Sequence, residues 1–317
     1  MPDLTVRPSF PFFMGCGRSG TTLVRAMFGA HPEMAIPPGT RLVKQWARTR
    51  GEYDGPDGFD AARFGSDLER SGWLERWDDG PEPVRAALSA SAPADLPDAI
   101  RLVYATFAAS QGKPRYGNKS HGYVVAIPMI ASLLPEAKFI HIIRDGRNVA
   151  LSLVEAPFGP KALAPAAHFW AHRVHKGRAD GLRLGADRYR EVRYEDLVAD
   201  PESQLRPLCG FLGLPFDDVM LRYYENEARP SRGLQHPEIH RNLTQPPVQN
   251  IRDWRTQMSA REVAQFEAIA GAALEEFGYQ RSRDIPWRYR AEQRVRGSLS
   301  RTRAGVGRAR HTARETG

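Results

Sequence analysis

The sequence predicts an α/β fold of three layers, a central parallel sheet with helices on both faces. Two strand-to-helix junctions carry that expectation. In the first, the apolar run Phe12-Phe13-Met14 feeds the glycine-rich turn Gly15-Cys16-Gly17-Arg18-Ser19-Gly20, and after Thr21 and Thr22 the stretch Leu23 to Ala30 reads as a helix. In the second, Ala137 to Ile143 is a short β-rich apolar run of the kind expected for a buried central strand. It runs into Arg144-Asp145-Gly146-Arg147, and from Asn148 the apolar positions suit a helix. At 317 residues the chain can bury a substantial core as one elaborated domain, or one domain with a cap.

The first junction has the chemistry of a phosphate cradle. Amides of a glycine-rich turn and of a helix N-terminus converge on one anion, and the helix dipole favours its charge. Arg18 adds a planar fork of donors, and the hydroxyls of Ser19, Thr21 and Thr22 add more. The nucleotide loop of kinases and ATPases has a lysine after its second glycine. With Gly15 and Gly20 aligned to those glycines, Thr21 stands in the lysine's place and the cation sits inside the loop, at Arg18. The plain alternative is a turn with a C-capping glycine.

Arg144 falls at the carboxyl end of the second strand, the edge where ligands bind in open α/β sheets. Together with Ser152 it can hold a second phosphate. By themselves, Asp145 and Arg147 read equally well as a surface pair.

These residues together resemble the sulfotransferases that use 3′-phosphoadenosine 5′-phosphosulfate (PAPS). The resemblance implies that the loop from Gly17 through Arg18, Ser19, Gly20, Thr21 and Thr22 binds the 5′-phosphosulfate. It implies that Arg144 and Ser152 bind the 3′-phosphate. Arg193-Tyr194-Glu195-Asp196-Leu197-Val198 followed by Asp200-Pro201-Glu202 looks like the family's next strand-and-helix unit, with Tyr194 near the nucleotide, and Phe211 to Pro215 closes it. Trp254-Arg255 and the helix up to Phe277-Gly278-Tyr279 look like the family's C-terminal region. The implied fold has a P-loop-kinase-like topology, with a cap of helices and loops on the acceptor side. The expected organisation is a sulfotransferase domain over residues 1–280, with the cap at 48–98. A basic tail follows over residues 281–317, helical at first and then disordered.

The branch most similar is the bacterial one that resembles protein-tyrosine sulfotransferases: Thr-Thr-Leu, Arg-Ala-Met and Ala-His-Pro recur between Arg18 and Pro32. That group carries a glutamate as general base where this chain has Gly39. Glycine takes no proton. Lys119-Ser120-His121 offers a replacement, because the cytosolic branch places a lysine and a basic histidine with one residue between them. The resemblance therefore makes His121 the candidate base, with Lys119 and Arg18 as catalytic cations. Sulfuryl transfer, like phosphoryl transfer, needs in-line geometry and charge stabilisation. Arg18, Lys119 and the loop amides can supply that without a metal. A positioned base adds about 10²- to 10⁴-fold.

Other residues have plainer readings. His31 before Pro32 looks like a helix-end cap, and Trp254 anchors packing. Glu33 and Arg41 flank the lost base, and Arg255 either approaches a phosphate or lies on the surface. His168, His172 and His175 share a helix face, but Trp170 and Arg173 among them mark an ordinary amphipathic helix rather than a metal site. Cys16 and Cys209 give no disulfide framework, and oxidation of Cys16 inside the loop would block the cofactor. Acceptor-side inserts are expected at 155–164 and at 229–250, the latter rich in Pro, His, Asn and Gln.

The formal charge is +8, and the 37-residue tail from Arg281 carries it all, since its eleven arginines face three acids. The rest of the chain is neutral, so nucleic acid is not an expected partner. The tail suits an anionic membrane surface or a solvated extension. With no secretory signal at Met1 to Pro8, the cytoplasm is the expected location. The expected acceptor is a small molecule or glycan, and the oligomeric state is not legible. Two rivals stay open: a small-molecule kinase using Mg-ATP, and a nucleotide-binding protein that lost its base at Gly39.

Overall fold

The computed structural model describes residues 8–39, 42–56, 58–157, 159–226, 243–248, 251–289 and 291–292. The chain divides into two compact units, Met1–Arg144 with Arg173–Ile251, and Asp145–His172 with Arg252–Gly317.

The first unit is built on a four-stranded parallel sheet. Its strands are β1 (Phe10–Gly15), β2 (Asn118–Lys119), β3 (Ala137–Ile143) and β4 (Tyr189–Arg193), in the order β2-β1-β3-β4. Phe12 lies opposite Asn118, Gly15 opposite Ile142, and Ile143 opposite Arg193. Because every pair is parallel, all four carboxyl ends share one edge.

Strand side chains alternate between the two faces of a sheet. Phe10, Phe12 and Met14 join Phe139 and Tyr189 in one apolar cluster. Phe13 joins Ile140, Ile142 and Val192 in another. With both faces apolar, both must be covered by helices. The second cluster is closed by Val24 and Met27 of α1 (Thr21–Ala30), and by Leu205 and Leu208 of the helix Pro201–Leu212. The first is closed by Ile100, Val103 and Tyr104 of α2 (Leu96–Ser110). This is the α/β arrangement the sequence predicts.

Residues 48–98 include short helices that turn their larger apolar side chains inward. Asp60 caps the helix Ala61–Arg70 by accepting from the Arg63 amide, and Phe64 and Leu68 enter the first cluster. Val84 and Leu88 of the helix Glu82–Ser91 do the same. The stretch that follows Lys119 and Ser120 is not one continuous helix. A 3₁₀ turn covers His121–Val125, Ala126 leaves helical geometry at φ −132°, and Ile127–Leu133 starts afresh. Pro128, which has no N–H, sits in that new first turn where none is needed.

In the second unit, α3 (Gly146–Glu155) is capped by Asp145, which accepts from the Arg147 amide. The helix Ala260–Glu276 opens with a capping box between Ser259 and Glu262. Gly146 has no room for a side chain, because a Cβ there would stand 2.4 Å from the Trp170 ring. The predicted tail beyond residue 292, Arg41, and residues 229–242 of the predicted insert lie outside the described residues. Among the described residues no helix is long and apolar enough to cross a membrane.

Candidate active site

Each strand of the parallel sheet delivers a predicted site residue to the same edge. β1 runs into the loop from Cys16 to Gly20, and β2 ends on Lys119 with His121 two residues on. Arg144 directly follows β3 and Tyr194 directly follows β4. Residues from four distant parts of the chain thus meet because the strands are parallel and their ends coincide.

The loop is held in an unusual backbone conformation. Arg18 has φ +73° and Gly20 φ +93°. A non-glycine residue in the left-handed region costs of order 1–3 kcal/mol, which the surroundings must over-determine. The Ser19 amide donates to the Cys16 carbonyl (3.1 Å), closing the turn. The Gly20 carbonyl accepts from Leu23 and Val24 (3.0 and 3.3 Å) and starts α1 without a side-chain cap. As the first helical residues, Thr21 and Thr22 have amides with no carbonyl to reach inside the helix. The Ser19 hydroxyl is buried with no hydrogen-bond partner.

Tyr194 packs on Gly20 so closely that a Cβ there would fall 2.3 Å from its ring. The Arg144 guanidinium lies 4.5 Å over the other part of this contact, the Tyr194 ring. Arg144 also donates to the Arg18 carbonyl (3.3 Å) and to the Ile251 carbonyl, which ties the end of β3 to the loop. Burial holds the Tyr194 phenol above its ordinary pKa, and the charge of Arg144 works against that rise. Arg18, Gly20, Thr21, Thr22, Arg144 and Tyr194 all line one cleft. Gly17 and Ser19 are buried in the loop behind it.

Lys119 reaches the start of α1, with Nζ 3.4 Å from the Thr22 hydroxyl. On its other side lies Gly39, where a Cβ would stand 3.0 Å from that same Nζ. His121 opens the 3₁₀ turn and is half-buried. Ser120 caps this turn through the Gly122 amide (3.4 Å). Lys119, the last residue of β2, and His121, the first of the 3₁₀ turn, therefore both stand at the edge that also carries the loop.

Ser152 belongs to the second unit, buried on α3. In that unit Asp145 and Arg147 do pair, but in the interior rather than on the surface. The Arg147 guanidinium is 1% exposed and bonds Asp145 (2.7 Å), Glu267 (2.8 Å) and the Gln280 carbonyl (3.0 Å). Trp254 donates to Asp145 (3.2 Å) and lies 3.7 Å under the Arg147 guanidinium, so its anchoring role stands. Arg255 is an exposed cation paired with Asp253 (3.4 Å).

Two further expectations resolve on burial. The Cys16 thiol is fully buried, and its pKa is pushed up to about 12 by burial, opposed by Arg173, so the oxidation that would block the loop is disfavoured. His31 ends α1: its Nδ1 accepts from the Glu33 amide (3.0 Å), which leaves Nε2 to donate to the Pro215 carbonyl (2.8 Å). Sequence reasoning missed the rest of the cleft wall. Tyr223, Leu243, Pro247, Val248 and Ile251 line it with Arg18 and Arg144, although the sequence assigns 229–250 to the acceptor side. These are ordinary apolar residues, and no spacing marks them.

A model of the sulfotransferase family matches residues 11–218, well over half of the chain. The chain is 26% identical over 241 residues to a protein-tyrosine sulfotransferase of Drosophila melanogaster, covering 74% of this chain and 44% of that protein. It is 24% identical over 304 residues to the nodulation protein NoeE of Sinorhizobium fredii, covering 88% of this chain and 68% of that one. Over its first matches, which cover 44%, 58% and 61% of the relatives, it spans about half the length of these curated proteins. The solved sulfotransferase domain from the curacin biosynthetic pathway superposes with a TM-score of 0.61 at 20% identity, over 88% of this chain and 100% of that domain. That agreement is one of fold, a central parallel sheet flanked by helices. The chain belongs to the sulfotransferase family.

Proposed function

We propose that this protein transfers a sulfuryl group from PAPS to a hydroxyl or amine of a carbohydrate, glycolipid or small metabolite. The observation that carries the reading is the single cleft lined by Arg18, Gly20, Thr21, Thr22, Arg144 and Tyr194 at the carboxyl edge of the sheet. The residues present fit a phosphosulfate donor. The Ser19 hydroxyl is buried without a partner, the first amides of α1 are open, and two arginines border the cleft. PAPS would supply an activated sulfuryl group with a nucleotide leaving group.

Within this reading each residue has a defined task. The loop amides, Ser19 and Arg18 bind the 5′ end, and Arg144 binds the 3′-phosphate, a task the sequence resemblance gives to Ser152 as well. Tyr194 fixes both the loop, through Gly20, and Arg144, through its ring face. Lys119 stabilises charge on the transferring group from beside Thr22. His121 takes the proton of the acceptor, the role that Gly39 cannot fill. Thr21, in place of a nucleotide-loop lysine, weighs against ATP as donor.

Calorimetric titration with adenosine 3′,5′-bisphosphate tests the donor, with Mg-ADP and Mg-ATP as comparators. Binding of the bisphosphate alone is expected. Binding of the magnesium nucleotides alone would overturn the reading.

A further inference from the structure

A second cavity in the first unit runs along the helix face that begins at the transfer centre. From α1 it is lined by Arg25, Ala26 and Gly29, which lie three, four and seven residues after Thr22. Those spacings share one helical face. At a rise of 1.5 Å per residue they lie about 5–10 Å along the axis from Thr22, the residue that Lys119 touches. Ile36 and Pro38 also line this cavity, and Pro38 precedes Gly39, which lies against Lys119. One helix and one loop therefore border both the Lys119 ammonium and the cavity.

The chemistry of the remaining wall asks for a particular occupant. Trp77 is 4% exposed, and its indole N–H is buried with no acceptor. An orphaned buried donor costs about 1–3 kcal/mol, and an indole can only donate, so the partner that satisfies it must be an acceptor. Arg25, Arg76 and Lys113 bring three cations to the lining, against one carboxylate, Asp78. Arg76 is steadied by the Trp73 ring, 4.0 Å below its guanidinium. Lys113 is steadied by the carbonyls of Gly29 (2.5 Å) and Met34 (3.2 Å). A positive cavity of this kind fits an anion with at least two acceptor oxygens, paired by the guanidinium groups of its lining. A carboxylate supplies two such oxygens on one planar group, the pair that a guanidinium fork matches.

We propose that this cavity seats a carboxylate of the acceptor, so that the substrate is a hydroxylated carboxylic acid whose hydroxyl reaches Lys119. The inference rests on the sulfotransferase reading above. It names Arg76 and Trp77 as residues that select the acceptor and not the donor.

The test is direct binding by NMR on the full chain labelled with ¹⁵N, whose six tryptophans give few indole signals. The Trp77 signal is the one lost in Trp77→Phe, or, if that variant does not fold, the one with cross-peaks to the ring of Phe107, which packs 4.7 Å away. With adenosine 3′,5′-bisphosphate at saturation, 4-hydroxyphenylacetate and its methyl ester are titrated in parallel. The acid is expected to move the Trp77 indole signal, with the ester binding at least about tenfold more weakly, and Arg76→Gln is expected to erase that difference. An unmoved signal, or equal effects of acid and ester, overturns the proposal. Calorimetry of the bisphosphate on the same sample separates the two readings. Bisphosphate binding without preference for the acid removes this proposal alone, whereas acid binding without bisphosphate binding overturns the cavity's role as an acceptor subsite.

Discussion

Gly39 and Lys119 are in contact: a Cβ on Gly39 would lie 3.0 Å from the Lys119 ammonium and 3.1 Å from the Lys119 carbonyl oxygen. The position where the sequence resemblance expects a glutamate base is thus filled from the other side. The ammonium can swing away, but the carbonyl belongs to β2 and cannot. Gly39→Ala and Gly39→Glu are both expected to displace Lys119 from Thr22 and to lower kcat about tenfold, measured by product formation with PAPS as donor. A gain of tenfold or more in Gly39→Glu would instead show that the wild-type site lacks a base, and would sink the role given to His121.

His121→Ala is expected to lower kcat by about 10²-fold or more while leaving the affinity for adenosine 3′,5′-bisphosphate unchanged. Unchanged turnover would remove His121 from the mechanism.

Gly20 accepts no side chain, for two independent reasons. Its φ of +93° strains any L-residue, and the Tyr194 ring stands where a Cβ would go. Gly20→Ala is expected to cost about 2 kcal/mol or more in urea unfolding and to weaken bisphosphate binding at least tenfold. Adding Tyr194→Ala relieves the clash but not the φ strain and opens a cavity, so the two substitutions together should cost less than the sum of their separate costs, with none of the affinity regained. Full recovery of affinity would show that Tyr194 plays no part in holding the donor.

Arg147 neutralises two buried carboxylates, Asp145 and Glu267. Arg147→Met leaves both without their cation, and a loss of about 3–5 kcal/mol is expected from the urea midpoint. Stability within 1 kcal/mol of wild type would mean that the pair contributes little.

His141 is fully buried in β3, and burial is the main cause that lowers its pKa from 6.5 to about 4; Glu191 opposes this and Arg178 assists it. Its Nδ1 meets the Tyr189 hydroxyl (2.7 Å), which donates onward to Glu191 (2.7 Å), itself paired with Arg178 (2.6 Å). The imidazole is neutral in the fold, while the unfolded chain binds a proton below about pH 6.5. Its contribution is therefore complete above pH 6.5 and is lost as pH falls toward 4, by about 3 kcal/mol. His141→Gln should flatten the urea midpoint between pH 4 and 6.5 relative to wild type. An unchanged slope would show that another group governs acid unfolding.

The sequence by itself determined the parts of this protein that depend on local order. An apolar run followed by glycines and a helix start specifies β1, the loop and α1 within a residue or two, because strand, turn and helix signals are short-range. The same holds for β3 running into Arg144. Lys119, His121 and Tyr194 were also legible, through their resemblance to residues placed in order along a known family. Tertiary structure decided what depends on proximity between distant segments. No spacing reveals that Gly20 must be glycine because Tyr194 lies on it, or that Gly39 faces Lys119. Neither does spacing show that Asp145 and Arg147 go inward to Glu267 and Trp254, leaving Arg144 to the cleft. The wall of Tyr223, Leu243, Pro247, Val248 and Ile251 and the cavity at Trp77 have no signature at all. Their chemistry arises where the parallel strands end together and the helices close over them, and that meeting is set by packing across the sheet rather than by neighbours in the chain.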